Sequence, residues 1–129
     1  MIKYGFTKET DIPYETAVEV VTEALKEHGF GVLTEIDVQA KLKEKLGIDF
    51  KKYKILGACN PPNAHQAILA EENIGLMLPC NVIVYEKGGR TVVSIIKPTA
   101  AMAMINNGKL KKIAQEVEAQ LEKVFESIG

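Results

Sequence analysis

Two apolar runs, Asn81 to Glu86 and Arg90 to Lys97, stand on either side of Lys87-Gly88-Gly89, and no other feature limits the possible folds of this chain so strongly. β-branched residues in short runs around a glycine pair predict a tight β-hairpin. Apolar residues occupy both numerical parities: Val82, Val84, Val92 and Ile96 at one, Ile83, Tyr85, Val93 and Ile95 at the other. Side chains alternate across a strand, so each face of such a hairpin needs a cover. Helices supply one cover. If they cluster on one side, the second face calls for another buried element or a partner chain, and the expectation is a homodimer.

The candidate covering helices are clear. Leu110, Ile113, Ala114, Val117, Leu121, Val124, Phe125 and Ile128 recur at three- and four-residue steps and predict a long closing helix after Asn106-Asn107-Gly108. Tyr14, Ala17, Val18, Val21, Ala24, Leu25 and His28 form a second stripe between Pro13 and Gly29, with His28 in the last turn, where a cation suits the dipole. Ile2, Tyr4 and Phe6 alternate as a first strand, and Val32, Thr34, Ile36 and Val38 share one face of a second, opposite Leu33, Glu35 and Asp37. A short helix through Leu42 and Leu46 stops at Gly47, Tyr53 to Ala58 reads as a further strand, and Ala100 to Ile105 as a brief helix. These elements predict one α+β domain over residues 1–129, with a mixed sheet of about five strands, helices mainly on one face, and a hairpin and long helix at the end.

Composition excludes several classes. With 47% hydrophobic and 26% charged residues and a net charge of −1, the 129 residues make an ordinary globular chain. Only Arg90 of the 16 basic residues is arginine, so the planar forks that grip phosphates and base edges are nearly absent and no nucleic-acid partner is expected. No apolar run nears the roughly 20 residues of a membrane span, and Met1 to Glu9 holds no signal-like region. The cytoplasm is the expected location, with Cys59 and Cys80 as reduced thiols.

Chemistry concentrates between Lys54 and Val84, which holds both cysteines, each followed by asparagine, and His65. Asn60-Pro61-Pro62 has the form of a helix start, placing Cys59 where a strand meets free amides and a positive dipole end. His65 falls in the second turn of that helix. A Cys59–His65 pair, with Cys80 as resolving thiol, is the core of a thiol or sulfur-transfer site; the alternative makes Cys59 a small buried strand residue and His65 a surface side chain. Cys59, Asn60, Pro61, His65, Cys80 and Asn81 are the candidate ligand-binding residues, for a small molecule or an anion. Cys59, His65 and Cys80 are the alternative zinc set, although their spacing matches no compact zinc signature and no cofactor is clearly implied. Glu35 and Asp37 project from one strand face, a carboxylate pair or simply a solvated edge. Met77, Met102 and Met104 suit core filling or an adaptable pocket wall.

Gly29 to Val38 (GFGVLTEIDV), Ile55 to His65 (ILGACNPPNAH) and Ile74 to Glu86 (IGLMLPCNVIVYE), in this order and spacing, resemble the family catalogued as domain of unknown function 302. The resemblance covers nearly the whole chain. It implies a small, dimeric α+β domain without an established activity, and it assigns no catalytic residue. Three readings follow: a dimeric domain binding a small ligand at the Cys59-Asn60-Pro61 junction, a thiol enzyme using Cys59 with His65, and a non-enzymatic dimeric scaffold.

Overall fold

The computed structural model describes residues 2–129; Met1, the first residue of the N-terminal reading, lies outside them. The elements follow the order β1 (Gly5–Thr10), α1 (Tyr14–Glu27), β2 (Gly31–Asp37), α2 (Val38–Leu46), β3 (Tyr53–Cys59), α3 (Pro61–Ala70), a 3₁₀ turn (Glu72–Met77), β4 (Cys80–Lys87), β5 (Arg90–Ile96), α4 (Pro98–Ala101) and α5 (Gly108–Ser127). The sheet has the five expected strands, in the order β1-β5-β4-β3-β2. Every neighbouring pair is antiparallel, not mixed. β1 and β2 run in the same direction and are joined through α1, but they lie at opposite edges with three strands between them, so no parallel ladder forms.

The β4–β5 hairpin closes through Gly88 and Gly89 at φ 58° and 80°, a two-residue turn whose left-handed backbone only glycine adopts at little cost. An even number of turn residues pairs even positions with odd ones. Val82 and Val84 therefore share a face with Ile95 and Val93, while Ile83 and Tyr85 share the other with Ser94 and Val92; numerical parity does not carry across the turn. α1 and α5 cover the first face, enclosing Val21, Leu25, Leu56, Val82, Val93 and Leu121 in the main core. A smaller cluster forms beneath α3 and α4 from Ala67, Ile74, Met102, Leu110 and Ala114. On the open face Ile36 is exposed and Ile55 and Ile83 are half-buried, and the Tyr53 and Tyr85 rings stack at 5.2 Å.

Three local patterns differ from the sequence expectation. β1 begins at Gly5, beyond Ile2 and Tyr4, because its partner residues on β5 run from Ile96 to Thr91. Its inner positions then include Lys8, whose Nζ donates to the carbonyls of Phe125 and Ile128 at 2.7 Å each, so a charge stands where an apolar residue would mark a strand. In β2 the register shifts between Val32 and Thr34, leaving Leu33 unpaired, so Val32 does not share the face of Thr34 and Ile36. Val38 opens α2, with the Asp37 carboxylate accepting from the Ala40 amide. The brief helix after β5 spans Pro98 to Ala101, not Ala100 to Ile105. No helix among the described residues is long and apolar enough to cross a membrane.

Candidate functional site

β3 ends at Cys59 because the next residue caps a helix. Asn60 has extended backbone, its Oδ1 accepts from the Asn63 amide at 3.2 Å, and Pro61 and Pro62 need no donor in the first turn. Its other amide atom, Nδ2, donates to Gln120 Oε1 on α5 at 3.2 Å. Asn60 thus ties strand end, helix start and the closing helix together. Gly29 approaches from the end of α1: at φ 84°, a Cβ there would stand 3.3 Å from Asn60 Nδ2.

The chain returns through the 3₁₀ turn and a cis Leu78–Pro79 peptide to start β4 at Cys80. Cys80 pairs with Ala58, so the two cysteines, distant in sequence, end on adjacent rungs. Both are free and half-buried. Burial, with a smaller contribution from Cys59, pushes the Cys80 thiol up to about 11, and it stays protonated at neutral pH.

Between this junction, α3 and α5 lies a cavity of about 330 Å³. Its floor is small by composition: Ala58 on β3, Ala64 and Ala67 on α3, and Ala114 on α5 leave the space that larger side chains would fill. Phe30, Ile68, Pro79, Leu110 and Val117 are among the larger apolar residues of the wall. The polar side chains there are Thr34, Cys59, Asn60, Asn63 and Cys80, and no charged side chain lines it.

Of the candidate residues, Cys59, Asn60 and Cys80 line this cavity together. Pro61 is exposed in the first turn of α3, and His65 is exposed on that helix and does not share the cavity wall with Cys59. Asn81 is exposed and borders a second cavity of about 290 Å³. Among the described residues no group of three or more His, Cys, Asp or Glu is placed to hold a metal ion; the set Cys59, His65 and Cys80 is not assembled. His28 Nδ1 lies 2.8 Å from the Ala24 carbonyl, in its own helix. Glu35 pairs with Lys54 at 2.8 Å and Asp37 caps α2, so the two carboxylates have separate structural roles. Met102 is buried in the cavity wall, Met77 packs on the smaller cluster and Met104 is exposed. Sequence reasoning missed Ala64, Ala67 and Ala114 as site residues; alanines at core spacing carry no mark of the cavity they leave.

Residues 6–128 match the model of the family described as "Domain of unknown function DUF302". The crystal structure of an uncharacterized conserved DUF302 protein from Bacillus stearothermophilus is similar to this fold, with 33% identity, 99% of this chain and 100% of that chain covered, and a TM-score of 0.92. No curated protein matches the chain. The chain belongs to the DUF302 family.

Proposed function

We propose that this DUF302 domain acts in the cytoplasm as a homodimer that binds a small uncharged ligand at the Cys59-Asn60-Pro61 junction. The observation that carries the reading is the apolar cavity, walled in part by Cys59, Asn60 and Cys80 and free of charged side chains. Its volume falls at the lower end of the roughly 300 to 1,000 Å³ common to small-molecule sites. A charged ligand entering it loses hydration without meeting a counter-charge. The α3 N-terminus offers an anion little, because Asn60 Oδ1 already accepts from one of its free amides.

Titration with the neutral fluorophore N-phenyl-1-naphthylamine tests the reading. Saturable enhancement at one probe per chain, abolished in Ala67→Trp, is the expected result; non-saturable or absent enhancement in the folded wild type overturns it.

The open sheet face supports the homodimer. Five strands at a spacing of about 4.8 Å and about 20 Å long present roughly 500 Å² in projection, and side-chain relief raises this toward the roughly 800 Å² per partner of a stable interface. Ile55 and Ile83 occupy the middle of this face and Ile36 its β2 edge, while Glu9, Lys87 and Arg90 stand toward its hairpin end. Sedimentation at tens of micromolar is expected to give a dimer that Ile83→Glu converts to monomer. A wild-type monomer rejects this part of the proposal and leaves the ligand reading standing.

A further inference from the structure

The sheet comes apart beside the cavity. The β4–β5 ladder runs from Lys87–Arg90 only as far as Val82–Ile95. Both strands continue past that point on their outer partners: β4 pairs with β3 through Asn81 and Cys80, and β5 pairs with β1 through Ile96. The segments Cys80-Asn81 and Ile96-Lys97-Pro98 therefore face each other without a ladder between them, and a slot opens at this end of the sheet.

The two cavities meet at that slot. The helix-side cavity of about 330 Å³ and the second cavity of about 290 Å³ share Leu78, Pro79, Cys80, Pro98 and Met102 as a common wall. Beyond the wall the second cavity is bordered by Asn81 and Ile96, whose register puts them on the open face of the sheet, and by Leu76, which is 89% exposed. Pro79, Cys80 and Pro98 are fixed at strand ends. Met102 is the long flexible side chain of the partition, an unbranched thioether that changes shape at little cost. Neither cavity has a charged side chain in its wall.

Granted the ligand reading above, we infer that the ligand is an elongated, uncharged alkyl-type chain that threads the slot between β4 and β5, with its body in the helix-side cavity and its end past Met102 beside Asn81. A compact ligand would use only the first cavity, whereas a chain gains apolar contact for as long as the passage continues.

Displacement of bound N-phenyl-1-naphthylamine by the linear alcohols from 1-hexanol to 1-dodecanol distinguishes these cases. In the wild type each added methylene is expected to tighten binding roughly fourfold until the chain outgrows both cavities. In Met102→Trp, which blocks the partition, and in Asn81→Trp, which fills the far side from an exposed position, the rise is expected to stop at a shorter chain. Asn81→Trp keeps the test informative if the buried Met102→Trp does not fold. A rise that levels off at the same length in wild type and variants overturns the threaded chain while leaving a compact ligand in place. Failure of the probe itself to bind overturns the underlying ligand reading.

Discussion

Gly57→Ala sets two opposing effects of similar kind against each other. In a strand with ordinary negative φ, replacing glycine by alanine removes freedom from the unfolded chain and stabilises by about 0.4 to 1 kcal/mol where the added methyl fits. Gly57 is such a residue by backbone, since positive φ among the described residues occurs only at Gly29, Gly47, Gly88 and Gly89. Space decides against it. A Cβ at Gly57 would come 2.1 Å from Thr34 Oγ1 and 2.7 Å from Pro79 Cγ. The Thr34 hydroxyl swings aside by a rotamer change, but the proline ring is held in the backbone, so β3 and the Pro79 segment must separate. Overpacking of this sort costs about 1 to 3 kcal/mol, which exceeds the entropic gain. A net loss of about 1 to 2 kcal/mol is therefore expected in urea unfolding, with Thr34→Ala/Gly57→Ala recovering only part of it. A gain in stability, or full recovery in the double variant, would show that the Pro79 contact is not the obstacle and refute the reasoning.

Leu121, fully enclosed between α5 and the sheet, is expected to cost about 2 to 5 kcal/mol on truncation to alanine; a loss below about 0.5 kcal/mol in denaturant unfolding would contradict its place in the core. With its thiol held near 11, Cys80 is about one part in a thousand thiolate at pH 8, so iodoacetamide is expected to modify Cys59 first; equal rates in the folded protein, measured with Cys59→Ser and Cys80→Ser controls, would contradict this. The same group links stability to alkaline pH. Its folded value lies above the ordinary 9.0, so its contribution is complete below pH 9 and is lost as pH rises toward 11, by about 2 to 3 kcal/mol, with Tyr14 and Tyr53, also raised by burial, acting in the same direction. Urea midpoints across that range are expected to fall less steeply in Cys80→Ser than in wild type.

Elements governed by local rules were legible in the sequence. Gly88-Gly89 can close only a tight hairpin, Asn60-Pro61-Pro62 starts α3 as its capping chemistry requires, and the α5 stripe names its own buried face. Strand directions and the start of β1 were not legible, because Lys8 and Thr10 occupy inner positions and take their partners from the far end of the chain. The unpaired Leu33 follows from pairing with β3, which no periodicity within β2 records. The site was half legible. Cys59 and Asn60 announced themselves by residue type and position, and Cys80 joined them through the β3–β4 register. The cavity itself is missing volume, and alanines read as ordinary core until two helices bring them face to face.

The pairing of β1 with β5 also imposes an order of assembly. Phe6 lies opposite Ile95, so the strand translated first has no partner until almost the whole sheet has been synthesised, whereas β2 through β5 zip together between chain neighbours. Once those four strands are paired, α1 alone carries β1 across the sheet to its place beside β5, so the ladder between the first and last strands is the nonlocal one. Until it closes, β5 presents a bare row of backbone donors and acceptors, and at high concentration the first strand to reach it can come from a neighbouring chain.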